Sequence, residues 1–288
     1  MGIVNWRGMP VATGSDWPGL RYFTTLRLSA AAVDEGGTGQ AGGIIGVSAA
    51  PYDTFNLGEH VGDDEQAVRS NRERLAALLP RPPIWLRQVH GVHVFDADSD
   101  ACEGDELPPE ADAAVTSTPG RVLCIMTADC LPIVLSDSGG SALGVAHAGW
   151  RGLAGGVLEN TLAALRERAP AGARWRAWIG PAIGQAAFEV GEEVRSAFIE
   201  QELKAAGRHR ADSRPDGVEA FFAPGRPGKW QADLAGLAAH RLKRGGVHEV
   251  QASGLCTHAR PDLFYSYRRD GRTGRMATLA WLAMGRSA

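Results

Sequence analysis

A histidine, a cysteine and a second histidine stand where three apolar segments of this chain end. His90 falls in Arg87-Gln88-Val89-His90-Gly91, Cys130 in Thr127-Ala128-Asp129-Cys130-Leu131-Pro132, and His147 opens His147-Ala148-Gly149-Trp150-Arg151-Gly152. Two imidazoles and a thiolate suit zinc, which takes nitrogen and sulfur donors in a tetrahedral site. Three protein ligands leave the fourth position for water or substrate, the pattern of catalytic zinc. Copper binds the same donor types and outcompetes zinc at many sites. The ligands lie too far apart for a zinc finger, so only the fold can bring them together. From residue type alone, a ligand trio and a core cysteine with two structural histidines are both open readings.

Other polar residues cluster around these three. Asp129 could orient a ligand through a hydrogen bond, act as an acid or base, or simply shape the turn before Pro132. Arg151 stands at an expected helix start, where free N–H groups and the positive dipole end favour phosphate; pairing with a structural carboxylate is the alternative. Trp150 could stack on a flat ring or belong to the core. Cys124 alternates within an apolar strand and reads as core. Cys102 and Cys256 have no comparable context. His60, His209, His240, His248 and His258 read as surface or structural, and His93 falls on the face opposite His90 if the segment is a strand.

Four helices and seven strands are expected to position these groups. Apolar residues at helical spacing place helices over 64–79, with Asp63 as cap, over 153–168, from about 192, and over 231–244, where Gly245-Gly246 gives a stop. Strand-like runs cover 84–89, 122–126, 133–135, 143–147, 175–179, 249–252 and 276–282. Gly, Pro and charge mark loops at 35–43, 98–109 and 208–228. The middle loop carries Glu103, Asp105 and Glu106, with Glu110 beyond it, and reads as a solvated acidic loop or a metal-gathering one. Strands and helices are interspersed without a strict βαβ rhythm. This favours an α+β fold with mixed sheets over a doubly wound one, while the length allows one large domain or two small ones. Neither a G-x-G-x-x-G after a strand nor a P-loop occurs, so dinucleotide and P-loop chemistry have no support.

Composition narrows the function classes. The formal charge of −3 and the lack of a basic stripe argue against nucleic acid as partner. The N-terminus has no secretory pattern, no apolar run is long enough to span a bilayer, and four cysteines make no disulfide scaffold. The expectation is a cytoplasmic protein with reduced thiols and no membrane contact. Oligomeric state is not readable.

At these segments the sequence resembles the YfiH family, also called the laccase-domain or multicopper polyphenol oxidoreductase family, which includes peptidoglycan editing factors. The resemblance runs in order through Ala50-Pro51-Tyr52-Asp53-Thr54-Phe55-Asn56-Leu57-Gly58, His60-Val61-Gly62-Asp63-Asp64, Asn71-Arg72, Gln88-Val89-His90-Gly91, Thr127-Ala128-Asp129-Cys130, His147-Ala148-Gly149-Trp150-Arg151-Gly152, Ile179-Gly180-Pro181, Cys256-Thr257, Ser266-Tyr267-Arg268-Arg269 and Gly274-Arg275-Met276-Ala277. The stretch at 35–43 and the length of 208–228 depart from it. The resemblance implies a zinc site at His90, Cys130 and His147. It also implies a single α+β domain over residues 1–288 with layered mixed sheets flanked by helices, akin to a bacterial toxin cysteine hydrolase, together with phosphorolysis of adenosine, inosine, guanosine or methylthioadenosine, and deamination of adenosine. The expected partners are purine nucleosides and phosphate, with Cys130, His147, Asp129 and Arg151 as the catalytic candidates.

Two other reaction classes compete. A copper polyphenol oxidase of the multicopper type needs mononuclear and trinuclear centres dressed mainly by imidazoles, and eight histidines without a His-x-His pair do not easily build both. A cysteine hydrolase acting on peptidoglycan precursors would use Cys130 as nucleophile and His147 as base. The signature of ordinary zinc deaminases, H-x-E with P-C-x-x-C, is absent, so adenosine deamination would be an independent design.

Overall fold

A computed structural model describes residues 2–28, 46–99, 107–205 and 217–284. The expected loop at 35–43 lies outside the described residues. So do 100–106, with Cys102 and the acidic Glu103, Asp105 and Glu106, and 208–216.

Two six-stranded mixed sheets form the body, as the sequence pattern implies. In the first the order is β1 (Gly2–Trp6), β2 (Met9–Thr13), β3 (Leu20–Thr25), β15 (Met276–Leu282), β7 (Val122–Thr127) and β4 (Pro83–Ile84). In the second it is β14 (Val247–Ala252), β10 (Trp175–Ile179), β8 (Leu131–Asp137), β9 (Leu143–Ala148), β6 (Ala113–Thr116) and β5 (Val94–Asp96). Within each sheet most neighbours are antiparallel, but β4 runs parallel to β7, β5 to β6, and β10 to β14. A small antiparallel sheet of β11 (Glu189–Gly191), β13 (Lys229–Ala232) and β12 (Phe222–Pro224) stands beside them.

The strand sequences explain the layering. In β7, Leu123 and Ile125 join Val134, Val145, Trp178 and Ala280 in a core between the two sheets. The alternate residues Val122 and Cys124 face outward, where they pack with Leu75 and Leu79 at and beyond helix α1 (Glu65–Ala76). In β8, Leu131, Ile133 and Leu135 face the other way, onto α3 (Val157–Arg166), α4 (Glu192–Ala205) and α5 (Leu234–Arg244). Strands covered on both faces need apolar residues at every position, which is why β7 to β9 read as continuous apolar runs. Helices thus cover the outer faces of both sheets. No helix among the described residues is long and apolar enough to cross a membrane.

Several boundaries differ from the sequence pattern for local reasons. The first helix is capped by Asp64, which accepts from Ala67 N at 2.8 Å. Asp63 is instead held by the Asn56 amide at 2.9 Å. The expected helix over 153–168 breaks at Gly156, φ 105°, into α2 (Trp150–Gly155) and α3. Residues 231–232 belong to β13, and α5 starts only after its cap, Asp233. The strand expected over 84–89 stops at Ile84 because Arg87 leaves the first sheet to bridge Glu110. The last helix, α6 (Tyr267–Asp270), is one turn capped by Ser266.

Gly156 should be sensitive to substitution, because an L residue in that left-handed conformation is strained. Gly156→Ala is expected to lower stability by roughly 1–2 kcal/mol, read as a lower urea midpoint with an unchanged slope. An unaltered midpoint would mean that the α2–α3 junction relaxes freely.

Candidate metal centre

The chain crosses from the first sheet to the second through residues 128–130, between the end of β7 and the start of β8. This turn needs Asp129 at φ 102°, a conformation that non-glycine residues adopt rarely and aspartate more readily than most. The Asp129 carboxylate secures it by accepting from Thr257 Oγ1 at 2.6 Å and from Arg268 N at 2.7 Å. The turn presents Cys130 at the rim of the inter-sheet space. His147, on β9, points to the same side as Val145, between the sheets, and is 3% exposed.

His90 arrives from a segment that is not a strand. The side-chain amide of Gln88 pairs with the Met126 backbone in both directions, each at 2.8 Å, as a neighbouring strand would. His90 then turns with φ 62°. The fully buried carboxylate of Asp112 fixes that turn by accepting three successive backbone amides: Val89 N at 3.2 Å, His90 N at 2.9 Å and Gly91 N at 2.6 Å. It also binds His147 Nδ1 at 2.8 Å.

These elements bring the three expected residues together. One ligand atom from each of His90, Cys130 and His147 lies within 4.8 Å of the others. Cys130 Sγ is 3.9 Å from His90 Nε2, and the two imidazole rings meet edge to face at 4.7 Å. Donors of one tetrahedral zinc stand about 3.3–3.8 Å apart by its bond lengths, so the trio needs only small adjustments to hold an ion. Among the described residues it is the one group of three or more metal-ligating side chains so converged. Gly149 leaves room for it: a Cβ there would come within 2.9 Å of the His90 ring and 3.0 Å of Cys130 Sγ.

The electrostatics favour a thiolate beside a protonated imidazole when no metal is bound. Burial opposes charge on Cys130 and His147, but their mutual attraction overcomes it, lowering the thiol to about 6 and raising the imidazole to about 9. His147 also gains from its hydrogen bond to Asp112. Burial likewise opposes ionisation of Asp112, and the hydrogen bonds from His147 and Gly91 outweigh it, holding the carboxyl below its usual range. Metal-bound histidines commonly donate their second ring nitrogen to a carboxylate, which fixes the tautomer and leaves the other nitrogen for the metal. Asp112 and His147 form that arrangement.

The trio lies in a cleft of about 440 Å³, walled also by His60, Gln88, Met126, Thr127, Tyr267 and Arg275. His60 does lie at the surface, as read from the sequence, but in this cleft. Asp129 and Arg151, the other sequence candidates, do not line it. Both carboxylate oxygens of Asp129 hold the turn, and Arg151 is exposed with its guanidinium 4.4 Å from the Trp150 ring. Cys124 is buried, as expected, and its thiol is pushed up to about 12. The sequence reading missed Asp112 and Arg275. An acid immediately before the apolar Ala113-Ala114-Val115 run was the available signal for Asp112.

Asp112→Asn keeps the side chain's size but loses the charge that three amides and an imidazole share. Zinc affinity is expected to fall about 10- to 100-fold, measured by competition with a chromophoric chelator. Unchanged affinity would leave Asp112 with a role in folding alone.

Comparison with known proteins agrees with the geometry. Residues 38–283 match the family model described as multi-copper polyphenol oxidoreductase laccase. A protein of Xylella fastidiosa named purine nucleoside phosphorylase is 48% identical over 279 residues, covering 93% of this chain and 95% of that one. The Escherichia coli protein named purine nucleoside phosphorylase YfiH is 43% identical over 241 residues, covering 83% of this chain and 90% of that one. Among solved structures, a Neisseria meningitidis protein described as DUF152 superposes with a TM-score of 0.78 at 37% identity, covering 96% of this chain and 100% of its own. YfiH of Bacillus licheniformis gives a TM-score of 0.76 at 26% identity, covering 95% and 96%. Sequence, fold and the order of the motifs agree: the chain belongs to the YfiH family, the laccase-like family of that model.

Proposed function

We propose that this chain is a zinc-dependent purine nucleoside enzyme that phosphorolyses adenosine, inosine, guanosine or methylthioadenosine and deaminates adenosine. The observation that carries the reading is the convergence of His90, Cys130 and His147 in a cleft whose volume falls within the range of small-molecule sites. The name purine nucleoside phosphorylase on relatives that match nearly the whole chain supports the choice of substrate. The two imidazoles and the thiolate are the residues that would hold the ion, and zinc bound there supplies Lewis acidity toward oxygen and nitrogen groups in the cleft. One compact trio fits a single ion better than the separate centres of a multicopper oxidase. Copper in the same site is the alternative cofactor, and phenol oxidation by it the corresponding side reaction.

The chain's own residues do the rest. Tyr267 is 61% exposed in the cleft wall and offers a flat face to a purine ring. Met126 adds an adaptable apolar surface. Asp129 acts by holding the turn that carries Cys130. In phosphorolysis a phosphate oxygen bonds to ribose C1′, the bond from C1′ to the base breaks, and the purine leaves with that electron pair and takes up a proton. In deamination water adds at C6 and ammonia leaves. The competing hydrolase reading, with peptidoglycan precursors as substrates, draws on one specific observation: Asp112, His147 and Cys130 stand in the acid–base–nucleophile order of a thiol hydrolase.

Product analysis with adenosine tests the main reading. Zinc-loaded protein is expected to release adenine and ribose 1-phosphate only when phosphate is present, and inosine without it. Cys130→Ser is expected to lose both the metal and turnover. Metal-free protein should show iodoacetamide reactivity of Cys130 rising through about pH 6, since its thiolate is present above that pH. Zinc should suppress the reaction. Full activity in chelator, abolished by alkylating Cys130 alone, would replace the metal reading with the hydrolase.

A further inference from the structure

The cleft contains an arginine that pairs with no carboxylate among the described residues. Among the described residues that line it, Arg275 is the one guanidinium. Arg27 pairs with Asp53, Arg72 with Glu59 and Arg269 with Asp270, whereas Arg268 and Arg272, outside the lining, donate to carbonyl and hydroxyl oxygens. Arg275 pairs with no carboxylate among the described residues. The negative group that weighs most on it is the Cys130 thiolate, which the metal would take; Asp129 comes next, and its two oxygens are already held by Thr257 and Arg268.

The arginine is also held in place. Its Nη1 donates to the carbonyls of Thr273 and Gly274, both at 3.0 Å, and its backbone N donates to Asn56 Oδ1 at 2.8 Å. Its stem lies against Gly58, where a Cβ would come within 2.7 Å of Arg275 Cγ. Nε and Nη2 donate to none of the described residues, leaving part of the guanidinium fork free. A second group in the lining is unsatisfied: Thr127 is 2% exposed and its Oγ1 has no hydrogen-bond partner. Half-burial of an unpaired guanidinium is unfavourable unless an anion joins it, and a fork with two free donors matches the spacing of phosphate oxygens. Arg151, by contrast, lies outside the cleft wall on the Trp150 ring.

Resting on the nucleoside reading above, we infer that Arg275, with Thr127 beside it, is the binding site for inorganic phosphate in the cleft, and that Arg151 is not. Arg275 lies next to Tyr267, its Cζ 6.0 Å from that ring. Phosphate held there stands near the ring assigned to the purine.

Calorimetric titration of the zinc-loaded protein with inorganic phosphate, without nucleoside, tests the site independently of turnover. Wild type is expected to bind. Arg275→Gln should weaken binding roughly 10- to 100-fold, the loss typical of a charged hydrogen-bonding partner. Arg275→Lys should retain an intermediate affinity, and circular dichroism and Tm should show both variants folded. Arg151→Ala should leave phosphate binding within about twofold of wild type. In phosphorolysis assays Arg275→Gln should raise the phosphate KM by a similar factor while leaving phosphate-independent deamination much less affected. Phosphate binding unchanged in Arg275→Gln, no binding to wild type, or loss with Arg151→Ala instead would each overturn the assignment. Phosphate binding through Arg275 without turnover of any nucleoside would overturn the proposed function and leave the anion site standing.

Discussion

The carboxylate of Asp112 is the contact on which this site depends. It is fully buried, and it is satisfied by three successive amides of the 89–91 turn and by the His147 imidazole. A buried carboxylate without partners would be costly, so the amides and the imidazole must come to it. In doing so they fix His90 and His147, two side chains 57 residues apart in the chain, relative to one another. The same interaction chooses which His147 nitrogen remains free. The His147 backbone N adds a further tie, donating to the Asp112 carbonyl at 2.6 Å.

The third member comes by a different route. Cys130 stands in the short crossing between β7 and β8, which belong to different sheets, so the packing of the two sheets sets its position relative to β9. Asp129 makes that crossing possible by taking an unusual backbone conformation while its carboxylate reaches Thr257 and Arg268 from the C-terminal part of the chain. Two aspartates thus do comparable work on either side of the trio: Asp112 binds three backbone amides and one side chain, Asp129 one of each, and each holds a turn that carries a member of the trio. Neither lines the cleft. The cleft is left with a thiol, three imidazoles and one guanidinium among its lining groups.

That arrangement is compatible with two chemistries. An Asp–His–Cys relay holding a thiolate next to an imidazolium is equally a nucleophile and a metal ligand, and the ion decides which. The exposed His90, set against the half-buried Cys130 and the buried His147, separates the two readings. A thiol hydrolase has no need of a second imidazole against the sulfur, whereas a three-ligand metal site has.

Residue type and local order in the sequence determined much of this. Two imidazoles and a thiol each stood where an apolar run ended, and the runs at 122–126, 133–135 and 143–147 announced strands there. The ordered motifs from Pro51 to Ala277 identified the family. What the chain could not show locally is which distant groups meet. Asp112 lies in a plain run of small residues, and its importance arises only when β6 places it under the 89–91 turn. Gln88 reads as a polar residue in a strand until its amide is seen replacing a neighbouring strand at Met126. Arg151 sits in the expected motif but its helix turns it onto Trp150, while Arg275, 124 residues further on, enters the cleft through the pairing of β15 with β7. Donor chemistry is a property of single residues, so sequence carries it. Convergence depends on sheet register and crossing turns, which are settled only when the whole chain packs.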